Sequence, residues 1–265
     1  MDNYKLLTDK LVFLNNGSIV TDLICTPTKQ QMQCLLEGSG NPEAEMRQVN
    51  SSAGLAVNFW RAYELCHPDS TVEFEWKKVV PLKRGIPANI DTVVRTRTEE
   101  NFYESKFLEP YYSNNEIPRD SYFDETKYSL YTKDSAGAWV ELFKKADDFQ
   151  HYNVTQLFRH LLAISKHIWK NPKYYSNKQV NLISVVWDMP DSFIMLFEDE
   201  VAETLKKRRE MVREEAKRCE TLINAFIQDH LQAMNLQFQA IKYNDIIEEI
   251  TDAELNNKLK QQYFL

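Results

Sequence analysis

The sequence predicts an α/β fold with a mixed central sheet flanked by helices and a long C-terminal helix. Two observations lead to this prediction. Segments rich in β-branched and aromatic residues alternate with segments whose apolar residues recur at helical spacing, and the resulting order is β-β-β-α-β with flanking helices. That order is typical of one α/β domain. We therefore expect a single domain over residues 1–265, with a core at about 43–188 and a helical C-terminal extension at about 192–265.

Each element is predicted from its own pattern, except that residues 1–40 give no clear one. Helices are expected where apolar residues return every three or four positions, at 43–66, 136–148, 153–170, 192–233 and 252–263. Asn153 has the side chain of an N-cap for the third of these. Strands are expected at 72–80, 88–95, 101–108, 179–187 and 236–243, the first three as an antiparallel meander. Residues 110–135 are polar and turn-rich, which predicts a long loop.

The composition is that of a globular protein in a reducing compartment. Hydrophobic residues make up 43% of the chain and aromatic residues 12%, and only six residues are glycine, which is the opposite of a disordered sequence. The four cysteines form no CxxC pair and have no histidine at zinc-finger spacing, so free thiols are expected. The N-terminus lacks the apolar stretch of a signal peptide, and no apolar run approaches the ~20 residues of a membrane span. We expect a cytoplasmic protein without a membrane partner.

The charge distribution argues against one class of nucleic-acid-binding protein and leaves another open. The net charge of −7 argues against a generic nucleic-acid coat, which would be basic overall. Between Lys77 and Lys106, however, seven basic residues outnumber four acidic ones. On charge alone this segment is best interpreted as a solvated hairpin, although a local basic patch is also what a nuclease needs.

The tripeptide Glu-x-Lys occurs four times, and only its context distinguishes the copies. One copy lies in the long predicted helix, where residues i and i+2 do not face each other. Another lies in the predicted polar loop. A third copy has no acidic residue on a strand shortly before it in the sequence. The copy formed by Glu104 and Lys106 lies in an apolar strand, whose period of two places both side chains on one face. Asp91 interrupts another apolar strand thirteen residues before Glu104, and a hairpin of that length can bring the two acids together.

Two carboxylates on one sheet face with a lysine beside them form a candidate magnesium site. Carboxylate oxygens are the hard ligands that Mg²⁺ prefers, and this ion takes only one or two protein acids while it keeps several waters. A divalent cation also removes the repulsion between Asp91 and Glu104. Lys106 is suited to orient the attacking water and to offset phosphate charge. The alternative is a charged sheet face with ordinary ion pairs, which contribute about 0–1 kcal/mol when exposed.

The segments that carry these residues resemble the motif of the PD-(D/E)XK nuclease superfamily. The resemblance lies in two phrases, FEWKKVVPLKRGIPANIDTVV with Asp91 and FYESKFLEPY with Glu104 and Lys106. It extends over roughly 43–188 and points to an uncharacterised bacterial group described as restriction-endonuclease-like. Pro87 does not immediately precede Asp91, which departs from the motif and leaves the role of Pro87 open. The resemblance implies a restriction-endonuclease-like core in which the acids bind magnesium and the lysine supports the water.

The same resemblance implies further site residues. Members of the superfamily often place an acid of the first core helix at the metal, for which Glu45 is the candidate and Glu43 and Glu64 are the alternatives. They often carry a glutamine on the helix after the catalytic strands, and Gln156 lies in that position. The expected cofactor is Mg²⁺, or Mn²⁺ in its place, bound by Asp91, Glu104 and Glu45. The expected catalytic residues are Asp91, Glu104, Lys106 and Gln156.

DNA is the expected partner. Lys83 and Arg84 in the basic hairpin and Arg159 on the helix at 153–170 are the candidate phosphate contacts. His160 is expected either to contact phosphate or to pack, since His167 is its only companion on that helix and no third metal ligand accompanies them. A homodimer is expected from the superfamily's habit of cutting two strands with two subunits.

The predicted function is a magnesium-dependent endonuclease that hydrolyses DNA phosphodiester bonds, as in restriction or phage defence. Two other functions remain open. One is a nuclease fold that has lost cleavage and acts in DNA binding or assembly, and the other is an RNase or a repair nuclease. No Ser-His-Asp order, GxSxG elbow or glycine-rich phosphate loop in the sequence indicates a hydrolase triad or ATP dependence.

Overall fold

Strands and helices alternate along the chain much as the sequence predicts. The computed structural model describes residues 3–39, 44, 46–112, 115–128 and 133–264. Its strands are β1 (Thr71–Trp76), β2 (Ile90–Arg95), β3 (Glu99–Lys106), β4 (Gln179–Val186) and β5 (Leu236–Lys242). Its α-helices are α1 (Asn3–Leu14), α2 (Lys29–Ser39), α3 (Ser52–Cys66), α4 (Glu109–Tyr112), α5 (Lys133–Lys144), α6 (Val154–Lys170), α7 (Pro172–Tyr175), α8 (Asp191–Ile194), α9 (Asp199–His230), α10 (Tyr243–Ile246) and α11 (Ala253–Leu259). Shorter helical turns lie at Asp120–Tyr122, Glu125–Lys127, Lys145–Asp148, Ile247–Glu249 and Lys260–Phe264.

The described strands form one five-stranded mixed sheet in the order β1-β2-β3-β4-β5. β1, β2 and β3 are antiparallel neighbours, which confirms the predicted meander. β4 lies parallel to β3, and β5 lies parallel to β4. A parallel neighbour requires a long crossover connection, and the segment with α5 and α6 supplies it between β3 and β4. The predicted mixed sheet with flanking helices is therefore present.

Each face of the sheet has its own apolar core. The face toward α6, here called the α6 face, buries Val93, Phe102 and Leu182 with apolar residues of α5, α6 and α9. The opposite face, here called the α3 face, buries Val94 and Tyr103 with apolar residues of α3 and the C-terminal helices. Because side chains alternate between faces along a strand, a polar residue of β3 an even number of positions from Phe102 also points toward α6.

The helix predicted at 43–66 begins later than expected, at Ser52. The Ser51 side chain accepts a hydrogen bond from the backbone N–H of Gly54 at 3.0 Å and is therefore the N-cap. A Cβ at Gly54 would overlap the carbonyl oxygen of Met46, so the preceding chain crosses over the start of the helix instead of continuing it. The prediction was wrong here because Ser51 stands within a sequence that otherwise has helical spacing.

The first strand also ends earlier than predicted, at Trp76 rather than near residue 80. Glu75 has a φ of 55°, a left-handed conformation that a non-glycine residue rarely adopts. The turn at this residue interrupts the alternation of faces, since Phe74 packs on the α3 face and Trp76 on the α6 face. The chain then leaves the sheet in the segment that carries Lys83 and Arg84.

The C-terminal region contributes to the sheet as well as to the helical layers. The predicted long helix is present as α9, with 32 residues. β5 follows it and pairs with β4, so the sheet extends beyond residue 188 into the region expected to be a helical extension. Among the described helices, none is long and apolar enough to cross a membrane. All four cysteines are free, as predicted.

Candidate active site

Asp91 lies where the hairpin of β2 and β3 opens. Backbone pairing between the two strands ends at Thr92 and Tyr103, so the next pair in this register is Asp91 and Glu104. Asp91 Oδ2 accepts a hydrogen bond from the backbone N–H of Ser105 at 2.8 Å. The carboxylate thus takes the place of a backbone carbonyl and is fixed beside β3. This register produces the predicted approach of the two acids.

Glu104 is buried and is hydrogen-bonded through both carboxylate oxygens. Only 1% of its side chain is exposed. Its Oε1 accepts a hydrogen bond from Lys106 Nζ at 2.6 Å, and its Oε2 accepts one from His160 Nε2 at 2.8 Å. Glu104 and Lys106 are two residues apart on β3, so they share the α6 face with each other, as predicted. Asp91, Glu104 and Lys106 therefore meet in one polar cluster within an apolar layer.

The two acids of this cluster differ in their protonation. Burial and the neighbouring Glu104 carboxylate hold the pKa of Asp91 well above its usual range. Burial also disfavours the ionised form of Glu104, but Lys106 and His160 outweigh it and lower its pKa to about 2. Burial disfavours the Lys106 cation, yet the carboxylates of Glu104 and Asp91 raise its pKa above the ordinary value. Of the two carboxyls, Asp91 is therefore the one that retains a proton more readily, beside an ionised Glu104–Lys106 pair.

A cavity of about 120 Å³ lies beside the cluster on the α6 face. It is lined by Glu104, Lys106, Glu109, Pro110, His151, Tyr152, Asn153, Leu157 and Ser184. A space of this size holds a few water molecules or one phosphate group, but no nucleoside. Asp91 is not among the described residues that line this cavity. Lys106 is the cation of the cluster that borders this cavity.

His160 is the residue of α6 that reaches the acid cluster. It is 1% exposed, and its Nε2–H donates to Glu104. Its Nδ1 is buried and has no hydrogen-bond partner within the described residues. The sequence left His160 between phosphate contact and packing, and the structure shows that it holds the Glu104 carboxylate in place. Its spacing of three and four residues from the buried Leu157 and Ile164 puts it on the inward face of α6, but this spacing does not show which residue of the sheet it meets.

Gln156, the glutamine expected to assist catalysis, lies one turn before His160 and is not among the described residues that line the cavity. Its backbone N–H donates to Asn153 Oδ1 at 3.2 Å, which confirms Asn153 as the N-cap of α6. Its side-chain carbonyl lies 3.4 Å from Asn153 Nδ2, which donates to it. The proposed catalytic role of Gln156 stays a prediction.

Of the three acids expected to join the metal site from the first core helix, only Glu64 is among the residues that the structure describes. Glu43 and Glu45 lie outside the described residues. Glu64 is described, and its carboxylate accepts hydrogen bonds from a glutamine and an arginine side chain and from the backbone N–H of Val72. In the pairing of β1 with β2, the partner of Val72 is three residues away from Asp91. Glu64 therefore fixes the start of β1 and is directed away from the acid cluster.

The predicted phosphate contacts lie apart from the cavity. Lys83 and Arg84 are exposed in the segment between β1 and β2. Arg159 is 17% exposed, and its Nη1 lies 3.9 Å from Glu116 Oε2. None of the three belongs to the described lining of the cavity. Their role as phosphate contacts stays a prediction.

Glu75 is a further acid near Asp91 that the sequence did not indicate. Glu75 lies opposite Asp91 on the neighbouring strand β1, between two residue pairs of the β1–β2 ladder. It contributes to the raised pKa of Asp91. Its Oε2 accepts a hydrogen bond from Asn89 Nδ2 at 2.6 Å. Left-handed non-glycine residues such as this one carry about 1–3 kcal/mol of strain and concentrate at functional sites.

Glu215 on α9 holds the loop that forms one wall of the cavity. Its buried carboxylate accepts hydrogen bonds from the backbone N–H of Gln150 at 2.9 Å and from those of His151 and Tyr152 at 2.8 Å each. His151 and Tyr152 line the cavity. This role could not be predicted from the sequence, because a carboxylate that binds distant backbone amides leaves no local pattern.

The same helix brings a cation to the edge of the cavity. Arg208 Nε donates to the carbonyl oxygen of Pro110 at 3.2 Å, and Pro110 lines the cavity. Burial and the Arg208 cation lower the pKa of the cavity residue His151. Arg208, within the charged run of α9, therefore adds positive potential at the cavity.

The donor set of the cluster fits a magnesium ion. It consists of carboxylate oxygens, which are hard ligands. The hydrogen bond that Asp91 accepts from the described chain goes to Oδ2, and this leaves Oδ1 for a ligand. The described residues contain no group of three or more His, Cys, Asp or Glu that could hold a metal. Two protein acids nevertheless satisfy Mg²⁺, because it keeps several waters.

No protein-family model, curated protein or solved structure matches this chain. The interpretation of the cluster therefore depends on its own geometry and chemistry.

Replacing Asp91 by Asn should alter how the stability of the metal-free protein depends on pH. A carboxyl with a raised folded-state pKa stabilises fully below its unfolded pKa of about 3.9, and this contribution is lost as the pH rises toward the folded value. Asn keeps an oxygen for the Ser105 N–H and does not titrate. In urea unfolding with EDTA, the free energy of unfolding of the variant should increase relative to that of the wild type as the pH rises from 4 to 8. A difference independent of pH would contradict the raised pKa of Asp91.

Replacing Glu215 by Gln should lower the free energy of unfolding by about 1–3 kcal/mol, because one amide oxygen cannot pair all three buried N–H groups. Amide hydrogen exchange at residues 150–152 should accelerate as well. Glu214, its exposed neighbour, gives the matched control, and Glu214→Gln should change neither quantity. Unchanged exchange in Glu215→Gln would show that the loop does not depend on this carboxylate.

Proposed function

We propose that this protein is a magnesium-dependent nuclease of the PD-(D/E)XK type that hydrolyses DNA phosphodiester bonds. One observation carries the proposal. Asp91, thirteen residues earlier in the sequence, converges with Glu104 and Lys106 on one sheet face beside a cavity that would accept a phosphate. A mixed sheet with an antiparallel meander, two parallel strands and helices on both faces agrees with a restriction-endonuclease-like core. Restriction or phage defence is the setting that this activity fits.

Asp91 and Glu104 are the residues that would hold the ion. When bound, Mg²⁺ would polarise the scissile phosphate and lower the pKa of a coordinated water. The raised pKa of Asp91 means that ion binding must displace a proton from this carboxyl, so affinity for the ion should increase with pH. The Ser105 N–H, which donates to Asp91 Oδ2 at 2.8 Å, orients the Asp91 carboxylate toward β3.

Lys106 is the residue of the chain that would act on the attacking water. Its Nζ lies 2.6 Å from Glu104 Oε1 and borders the cavity. The raised pKa of Lys106 keeps it cationic, so it would orient the water and offset phosphate charge rather than accept a proton. His160 acts as a positioning residue, since it holds the second oxygen of Glu104.

Arg208 would contribute to substrate binding. A cavity of about 120 Å³ accepts the phosphate and not the base, so a bound strand would pass across its opening with the bases outside. The partly buried Arg208 lies beside Pro110 at that opening and would contact a neighbouring phosphate. A contact of this kind does not distinguish DNA from RNA, and a substrate panel of duplex, single-stranded and branched DNA and RNA would separate a restriction enzyme from a repair nuclease or an RNase.

A specific observation favours a second function, a nuclease fold that binds DNA without cleaving it. Both oxygens of Glu104 already accept hydrogen bonds, from Lys106 and His160. If these contacts persist in solution, Glu104 is a structural ion pair and no longer a ligand. The protein would then bind DNA equally well with and without a divalent ion.

Incubation of plasmid DNA with Mg²⁺ distinguishes these functions. The wild type should cleave, whereas Asp91→Ala and Lys106→Ala should lower the rate about 10²-fold or more, which is the scale for losing one preorganised electrostatic group. The matched control is the Glu125-x-Lys127 copy, whose residues are not buried. Glu125→Gln and Lys127→Ala should cleave like the wild type.

Equal cleavage by the wild type and both site variants would remove Asp91 and Lys106 from the reaction. Absence of cleavage in every protein, together with retained DNA binding, would favour the inactive alternative.

A further inference from the structure

A second polar recess borders α6 at Arg159, the residue before the cluster residue His160. It has a volume of about 50 Å³ and lies between the segment after β1, the turn before Tyr122 and Arg159 of α6. Three arginines line it, Arg84, Arg119 and Arg159, together with Ser121. These arginines come from three separate segments of the chain, so their proximity is a product of the fold and not of a charged run.

The cations of this recess are only partly neutralised by the described residues. The carboxylate that approaches Arg159 is that of Glu116, at 3.9 Å and 43% exposed, a distance and exposure typical of a weak surface pair. The Nε of Arg159 is buried without a hydrogen-bond partner among the described residues. An unpaired buried N–H carries a free-energy penalty, and an anion in the recess would relieve it.

A buried lysine holds one side of the recess in shape. Lys166 Nζ donates to the backbone carbonyl oxygens of Val80 at 2.9 Å and Pro81 at 3.1 Å. Both of these residues line the recess, and Arg84 follows three positions after Pro81. The segment that presents Arg84 is therefore fixed to α6, and the Lys166 cation adds positive potential beneath it.

We propose that Arg84, Arg119 and Arg159 form a binding subsite for one phosphate group of a polynucleotide backbone. Guanidinium groups present planar pairs of N–H donors that match phosphate oxygens. At about 50 Å³, the recess matches the size of a phosphate group more closely than that of a nucleoside. Arg159 and His160 are consecutive on α6, so the subsite and the acid cluster lie on adjacent sides of one helix. The assignment to a backbone phosphate rests on the proposed nuclease function, and it makes Arg119 a substrate contact that the sequence did not indicate.

The test is a binding measurement that does not require cleavage. A fluorescent oligonucleotide duplex is titrated in EDTA against the wild type, Arg119→Gln and Arg159→Gln, at several salt concentrations. Each variant should bind about tenfold more weakly regardless of base sequence, as expected for a lost charged hydrogen bond, and the slope of log affinity against log salt should decrease by about 1. Glu116→Gln should bind more tightly, because it removes the competing carboxylate.

Arg97 provides the matched control, since it is exposed in the turn between β2 and β3, and Arg97→Gln should bind like the wild type. Wild-type affinity and salt slope in both Arg119→Gln and Arg159→Gln would overturn the subsite. In a second arm, inorganic phosphate should raise the melting temperature of the wild type but not of Arg119→Gln. A phosphate response that depends on Arg119, with no effect of Arg119 on oligonucleotide affinity, would overturn the backbone assignment. Because the duplex is bound without a divalent ion, a failure of cleavage leaves this result unaffected.

Discussion

A buried carboxylate is stable only when donors and cations surround it, and the pairing of Glu104 determines the arrangement of the site. Lys106 meets one oxygen from the same strand, and His160 meets the other from α6. The second contact fixes the position of α6 against the sheet. The loop that leads into α6 then closes one side of the cavity, where Glu215 of α9 holds it through three backbone amides. One strand, one helix and the C-terminal region thus become parts of a single site.

The environment of Asp91 is the opposite of that of Glu104, and this difference determines the chemistry of the cluster. It is close to the carboxylates of Glu104 and Glu75 and receives one backbone hydrogen bond. A group with a raised pKa in such a place is either a proton donor or a ligand whose partner is a cation. In the proposed magnesium site, Asp91 is a ligand of the cation. It also accounts for a strained Glu75 next to Asp91, because functional sites retain strain that packing alone would remove.

Within the site, the side-chain contacts that the sequence predicts correctly are those within one hairpin. Strand periodicity places Glu104 and Lys106 on one face, and the length of the turn places Asp91 beside them. His160 and Glu215 could not be predicted, because a helix pattern shows which side is buried but not which strand or loop it meets. Helices α1 and α2 had no readable pattern, and β5 joined the sheet through a parallel crossover whose partner strand is not encoded locally. The positions of these side chains, helices and strand depend on tertiary packing.

The central claim is that Asp91 and Glu104 share a divalent ion, and a crystal structure of the protein grown with Mn²⁺ tests it most directly. Anomalous scattering locates the ion without reference to any assumed function. The account predicts a peak about 2.1 Å from a carboxylate oxygen of both acids, with the remaining positions filled by water. It also predicts that the peak is absent in Asp91→Asn. A fully occupied Mn²⁺ elsewhere in the crystal, with Glu104 still hydrogen-bonded only to Lys106 and His160, would contradict the claim.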